Sequence, residues 1–451
     1  MNEVKKNSGL SFIPLLLFVV IYLGAGLFYQ AQGVPFAFYQ FPAMASMFIA
    51  LIVAFIMGRE KIDIKFRLFT RGIANEGVIT MLLIYMLAGA FSGVATAMGG
   101  RDATVNLGLS VIPPQFLAAG VFIISAFMGT ATGTSIGTIS AVAPIAIGVA
   151  DKGGLNVALV VGACVGGAMF GDNLSMISDT TIAATSTQGV EMKDKFRVNL
   201  LIAIPAAVCT LVLLLIFGRP EEAASLGDLS FNFFKVIPYL AVFILAIIGM
   251  NVFLVLTIGI IVAAIIGIAT GDFTLATAAQ GFYSGVTGMD EVFYLTMVAA
   301  GLAGLTRNRG GFEWLIEKLG KICKSAKSSQ IVMAILVALI DIAVATNTVA
   351  IILSGDTAKN ISREYKIDPR RMASILDIFS CVPQGLLPYS GQLLTSAAFA
   401  TAAGLSYTAV SFMPYVWYCF FLALFGILSI FIPFADGICR KNPWKWDDEE
   451  K

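Results

Sequence analysis

Apolar runs of about 20 residues recur from one end of this chain to the other, separated by short polar or glycine-rich stretches. A helix of that length, rising 1.5 Å per residue, crosses a hydrocarbon core roughly 30 Å thick. Lipid offers no partner to an open backbone N–H or C=O, so each run folds as a helix. The recurrence predicts an all-α polytopic membrane protein. Composition points the same way: 58% of the 451 residues are hydrophobic and 13% are charged, where a soluble globular chain has about 45–50% and about 25%.

Missing residue types and the charge balance narrow the function. A formal net charge of +1 argues against nucleic acid as a partner. Histidine is absent, which excludes imidazole proton relays and imidazole pH sensors and leaves proton coupling to carboxylates or water. Cys164, Cys209, Cys323, Cys381, Cys419 and Cys439 are scattered, without a C-x-x-C pair, and read as helix-packing residues. No G-x-x-x-x-G-K-[ST] occurs. The chain therefore reads as neither an ATPase nor another enzyme, with no cofactor, and its work must come from an ion gradient. Lys5 and Lys6 precede the first apolar run at 10–28. That run is long for the core of a cleaved signal peptide, the competing reading, and is taken as an uncleaved first span.

Lysine and arginine collect at 59–71, 193–197, 307–327, 359–371 and in the tail at Arg440, Lys441 and Lys445. The positive-inside rule puts these segments, and both termini, in the cytoplasm. Loops at 99–114, 219–228, 271–288 and 404–411 are poorer in both and go outside. Under that assignment 330–358 enters and leaves on the cytoplasmic side, with the break Ala345-Thr-Asn-Thr-Val349 near its middle. The stretch 115–150 does the same from outside, around Gly129-Thr-Ala-Thr-Gly-Thr-Ser135. Both read as re-entrant hairpins, which are tolerated only within protein or beside a wet cavity.

The remaining spans fall near 10–28, 41–57, 76–98, 155–187 and 197–217, then near 233–248, 252–270, 289–306, 372–404 and 412–435. Each half thus has about five spans plus one hairpin. An odd number of crossings starts the second half from the opposite side, so the halves are predicted to be inverted repeats. Short internal matches agree: Met86-Leu-Ala-Gly-Ala-Phe-Ser-Gly93 with Met297-Val-Ala-Ala-Gly-Leu-Ala-Gly304, Thr132-Gly-Thr134 with Thr346-Asn-Thr348, and Asp172-x-x-Ser175 with Asp377-x-x-Ser380. Between the halves' transport-like parts, 312–328 carries Phe312, Leu315, Ile316 and Leu319 on one face and Glu313, Glu317, Lys318 and Lys321 on the other. This is an amphipathic interfacial helix.

A carboxylate in the middle of a span costs roughly 2.5–3.5 kcal/mol, so it is a functional candidate by default. The densest polar cluster is Gly171-Asp-Asn-Leu-Ser-Met-Ile-Ser-Asp-Thr-Thr181, inside the interrupted span 155–187. Asp172, Asn173, Ser175, Ser178, Asp179, Thr180 and Thr181 supply carboxylate, amide and hydroxyl oxygens, the ligands a small hard cation wants. Asp172, Ser175 and Asp179 are the expected Na⁺ ligands, with either aspartate as the group that also takes the proton. The plain alternative is a solvated loop. Thr130, Thr132, Thr134 and Ser135 at one hairpin break, and Thr346, Asn347 and Thr348 at the other, suit either a cation at freed carbonyls or an anion at a helix N-terminus. They would equally serve close helix crossings. In the second interrupted span, 372–404, Pro383 and Pro388 are expected to break the helix and leave Asp377, Ser380 and Gln384 beside the break. Asp341 reads as a helix-interior charge, free or paired, and Asp356 as a cytoplasmic one. No Arg or Lys stands within the motif spans, which favours an oxygen-only ion site over an organic one.

The run at 171–181 resembles the signature of the NhaC family of Na⁺/H⁺ antiporters, Gly-Asp-x-x-Ser-x-x-Ser-Asp-Thr-Thr, intact at Gly171, Asp172, Ser175, Ser178, Asp179, Thr180 and Thr181. Length and hydropathy layout fit that family over nearly the whole chain. The resemblance implies an elevator-type ion-transporter architecture: scaffold spans at 1–98 and 218–311, transport regions at 99–217 and 329–437, and a cytoplasmic tail at 438–451. It also implies a homodimer in a bacterial inner membrane that exchanges cytoplasmic Na⁺ for H⁺. Members resembling carboxylate exchangers and amino-acid carriers keep a second expectation open, Na⁺- or H⁺-coupled transport of an amino acid or small carboxylate.

Overall fold

Runs too apolar to stay in water became helices almost where their hydropathy placed them. In the computed structural model, residues 8–34, 37–176, 178–220, 229–248 and 250–446 are described, and among them every regular element is helical. Lys5, Lys6, most of the loop at 219–228 and the last five tail positions lie outside the described residues. The expected spans correspond to Ile13–Ala31, Ala43–Ile56, Glu76–Ala97, Met192–Phe217, Phe233–Ile247, Val252–Ala269, Asp290–Asn308 and Trp417–Phe431, together with two interrupted helices. Among the described residues seven helices are long and apolar enough to cross a bilayer, or nine when two bent pairs are each counted as one span.

Both hairpins are present. Pro114–Thr132 turns at Gly133, in the left-handed region at φ 69°, and Thr134 starts Ser135–Lys152 by accepting the Gly137 N–H on its hydroxyl. Ala326–Val344 turns at Ala345, also left-handed at φ 51°, and Thr346 precedes Asn347–Glu364. The first interrupted span runs as Val157–Leu174 and Asp179–Gln188, with Ser175 and Ser178 at the break in extended backbone. The second runs as Pro369–Leu386, a break through Pro388, and Gly391–Ala402. Pro383 does not break it. It sits in the last turn, where its carbonyl still accepts the Leu387 N–H at 2.8 Å, so the missing donor costs only the bond one turn back.

Three segments read as loops contain helices: Ile62–Ile73, Gly100–Val111 and Leu275–Thr287. Their 12 or 13 residues are too short for a span and carry polar or glycine positions that mask the pattern. The glycines have a packing use. A Cβ on Gly72 would stand 2.3 Å from the Ala300 carbonyl oxygen, and one on Gly285 would stand 2.1 Å from that of Gly89. These helices therefore cross Asp290–Asn308 and Glu76–Ala97 backbone to backbone. The amphipathic helix at 312–328 is observed as Gly311–Gly320, with Phe312 buried and Lys321 bonded to Glu317 outside; its last positions already belong to the hairpin that begins at Ala326.

Helix bounds recur at a fixed spacing. Pro114–Thr132 is matched by Ala326–Val344, Ser135–Lys152 by Asn347–Glu364, and Val157–Leu174 by Pro369–Leu386, every bound moved by 212 residues. That spacing corrects two of the short matches. Thr134, not Thr132, is the counterpart of Thr346, and Asp172 corresponds to Gln384 rather than Asp377. Identical letters misled at Asp172 because the position 212 residues on holds a different residue type, and at Thr132 because a neighbouring threonine matches as well.

The hairpins and interrupted spans pack together. Each hairpin lies on the first half of its own interrupted span, and the second halves cross over: Asp179–Gln188 packs on Asn347–Glu364, and Gly391–Ala402 on Ser135–Lys152. A separate group joins Glu76–Ala97 to Val252–Ala269 and Leu275–Thr287, and Ile13–Ala31 to Ala43–Ile56.

Candidate functional site

Where the four half-helices meet, the chain has buried two aspartates and given them different neighbours. Asp172 lies in the last turn of Val157–Leu174 and is only 4% exposed. Ser178, the N-cap across the break, donates its hydroxyl to Asp172 Oδ1 at 2.6 Å. Ser135, the first helical residue after the hairpin turn, donates to Oδ2 at 2.9 Å. No cationic side chain pairs with Asp172 among the described residues. The hydroxyl of Thr180 lies 2.8 Å from that of Ser178, and Gln392 Nε2 donates to Ser135 Oγ at 3.1 Å. Gln384 Nε2 donates in turn to Gln392 Oε1 at 2.8 Å and to the Ala345 carbonyl at 3.3 Å. One polar chain thus runs from the first break to the second hairpin.

Close crossing makes this arrangement possible. A Cβ on Gly171 would stand 2.4 Å from the Thr130 amide nitrogen, so only glycine lets the interrupted span lie against the hairpin one residue before Asp172.

Asp377 is wholly buried beside it. Its Oδ2 takes Lys195 Nζ at 2.6 Å, Asn199 Nδ2 at 2.7 Å and Asn173 Nδ2 at 2.8 Å. Lys195 also donates to the Asn173 carbonyl at 2.8 Å and the Thr181 hydroxyl at 2.7 Å. Lys195 and Asn199 were not anticipated: no Arg or Lys lies within the motif spans, but Lys195 reaches the motif from Met192–Phe217 and removes the support that this gave to an oxygen-only site. They stand one turn apart on Met192–Phe217, on the buried stripe that includes Val198, Ile202 and Ala206. That spacing was the available signal.

Other expected residues fall in three places. Thr181 donates to the Ser175 carbonyl at 2.7 Å, tying the break together, while Ser380 donates only to the Asp377 carbonyl at 3.0 Å. Thr132, Thr134 and Thr346 bond mainly within their own hairpin turns, and Asn347 Nδ2 faces Cys381 Sγ at 4.0 Å. Asp179 is exposed, and its Oδ2 accepts from Thr348 Oγ1 at 2.9 Å; among the described residues no donor serves both Asp179 and Asp172. Of the expected Na⁺ ligands Asp172, Ser175 and Asp179, the structure separates the two aspartates, because the helix restarts at Asp179 and turns its side chain outward. Asp356 is exposed, as expected. Asp341 is buried, and among the described residues neither of its carboxylate oxygens has a hydrogen-bond partner, so the reading of a helix-interior ion pair finds no partner there.

The chain resembles known proteins over most of its length. A family model described as the Na⁺/H⁺ antiporter family matches residues 3–219 and 273–432. The malate-2H⁺/Na⁺-lactate antiporter of Bacillus subtilis (strain 168) is 25% identical over 444 residues, covering 90% of this chain and 92% of that protein. The Na⁺/H⁺ antiporter NhaC of Alkalihalophilus pseudofirmus is 24% identical over 401 residues, covering 81% of this chain and 85% of that one. A solved structure, the YdaH transporter of Alcanivorax borkumensis, aligns over 95% of this chain and 99% of that chain with a TM-score of 0.41 and 15% identity. Matched over most of its length, the chain belongs to the Na⁺/H⁺ antiporter family.

Proposed function

We propose that this chain is a Na⁺/H⁺ antiporter in which Asp172 carries Na⁺ and the proton in turn. One observation carries the reading: Asp172 is a buried carboxylate at a helix break, surrounded by hydroxyls and without a cationic partner among the described residues. A small hard cation binds through oxygens, and the Asp172 carboxylate with the hydroxyl oxygens of Ser135 and Ser178 offers that set. Hydroxyls suit both halves of the cycle. They donate to the empty carboxylate and rotate to present lone pairs to a cation. Asp377 serves as a fixed countercharge, since Lys195 already neutralises it.

The carrier architecture belongs to the same proposal. The 212-residue recurrence, with basic loops assigned to the cytoplasm, supports two inverted repeats whose crossed half-helices place the site at the repeat interface. Residues 99–217 and 329–437 move as transport regions against the scaffold at 1–98 and 218–311, linked by the helix within 312–328. The scaffold pairs with a second copy in a bacterial inner membrane. Both termini, including the tail at 438–451, are cytoplasmic, and cytoplasmic Na⁺ leaves as protons enter.

Reconstitution into liposomes with an internal pH dye tests the reading. Na⁺ alone, with no organic solute, is expected to evoke proton flux, and Asp172→Asn to abolish it while the protein still inserts and folds. Full exchange in Asp172→Asn would remove this residue from the cycle. Silence of the wild type towards Na⁺, with uptake of a labelled amino acid or carboxylate, would favour the second reading, which draws on the Bacillus subtilis relative named for malate and lactate.

A further inference from the structure

A cavity lies away from Asp172, between the end of Ile62–Ile73, the start of Glu76–Ala97, Asp290–Asn308 and the tip of the second hairpin. It has a volume of about 70 Å³, and its rim and walls include Arg71, Asn75, Arg307, Val344 and Thr346. The crossing of Gly72 on Gly304 builds it: a Cβ on Gly304 would meet Gly72 Cα at 2.8 Å, and that approach sets Arg71 and Arg307 around one opening.

Three features select an anion. Arg71 and Arg307, both exposed, line its opening, and among the described residues neither has a hydrogen-bond or ion-pair partner. No carboxylate is among the lining residues. The helix Asn347–Glu364 begins there at Thr346, whose side chain does not cap it, whereas Thr134 caps the corresponding helix of the first hairpin. Asn347 Oδ1 takes the Thr348 N–H at 3.0 Å, and the remaining first-turn N–H groups and the positive end of the helix dipole face the lining. Asn75 lines it too, with its oxygen engaged by the Gly77 N–H and its amide nitrogen left to donate. The rest of the wall is apolar, including Val78, Val349 and Leu353.

We infer that this cavity is a binding site for a small organic carboxylate, held by Arg71 and Arg307 with its carbon body against the valines. Planar guanidinium forks match a carboxylate bidentately, and the apolar wall distinguishes an organic anion from inorganic phosphate or chloride. The inference goes beyond ion exchange and stands without it. An anionic lipid headgroup shares the charge chemistry, but the wall is built from residues of four helices and a hairpin tip that meet there.

Calorimetry on the full chain in phosphatidylcholine nanodiscs, titrated with lactate, succinate, inorganic phosphate or chloride, tests it. Lactate or succinate is expected to bind, and Arg71→Gln and Arg307→Gln each to weaken binding by about tenfold or more, as expected for loss of a charge-assisted bond. Binding should persist in nanodiscs containing phosphatidylglycerol. Absence of carboxylate binding, affinities unchanged in both variants, or equal binding of phosphate would overturn the site. Loss of carboxylate binding in phosphatidylglycerol would assign the cavity to lipid and overturn it as well. Na⁺-evoked proton flux of wild-type vesicles, measured without carboxylate, reports on exchange alone, so either reading can fail while the other stands.

Discussion

Asp172 and Asp377 answer one problem in two ways. A carboxylate withdrawn from water must be neutralised or generously hydrogen-bonded. Asp377 has a lysine and two amides on one oxygen, whereas Asp172 has only hydroxyls. Removing one member of a buried pair strands the other charge and costs about 3–5 kcal/mol. Lys195→Met is therefore expected to lower the thermal unfolding temperature in detergent sharply, and adding Asp377→Asn to recover most of the loss. A double variant no more stable than Lys195→Met would deny that the stranded charge is the cause. Much of this chemistry could be read in the chain before its fold. Asp172, Ser178 and Thr181 stand in one dense motif, and a polar cluster in an apolar span advertises itself. Asn199 and Lys195 reach the same point from another helix, and a contact between helices leaves no local trace except the stripe a side chain belongs to. Lys195 was counted with the basic loop at 193–197 because charge was weighed before helical phase.

The two hairpins turn on left-handed residues, and only one of these is glycine. A non-glycine side chain in that region costs about 1–2 kcal/mol, so Ala345 holds its conformation against strain. Ala345→Gly is expected to raise the unfolding temperature, with a gain of about 1 kcal/mol at most after the extra chain entropy of glycine. The mirror change, Gly133→Ala, should lower stability by about 1–2 kcal/mol. Opposite signs at equivalent positions, compared in one detergent, check the assignment; equal signs would contradict it. Element bounds were largely legible, since lipid-length runs and glycine-hydroxyl breaks are local signals. The helices Ile62–Ile73, Gly100–Val111 and Leu275–Thr287 were not, because short helices that cross on glycine need no long apolar face. Pro383 misled for a related reason: a proline near a helix end removes a single bond.

On the scale of the whole molecule, the proposed elevator requires the hairpins and interrupted spans to slide past Val252–Ala269 and its neighbours. The proposed repeat was expected from the parity of crossings, but the 212-residue spacing of the helix bounds was not, because positions 212 apart seldom share a residue type. Register matters for motion, since it sets which residues face each other across the sliding surface. Gly137, in the first turn after the hairpin break, faces Val252 at the start of a proposed scaffold helix, and a Cβ built on Gly137 stands 3.5 Å from Val252 Cβ. That separation is at the short end of the about 3.5–4.5 Å found across disulfides. In a background with the six native cysteines replaced, Gly137→Cys with Val252→Cys is expected to cross-link under mild oxidation. The link would pin one transport region to the scaffold, so Na⁺-evoked proton flux should stop on oxidation and return on reduction. Each single cysteine should be insensitive to the same treatment. A pair that cross-links fully, shown by a mobility shift on denaturing gels, yet exchanges at the uncross-linked rate would rule out relative movement at this contact. Exchange would then have to proceed by a local opening around Asp172, with hairpin and scaffold fixed.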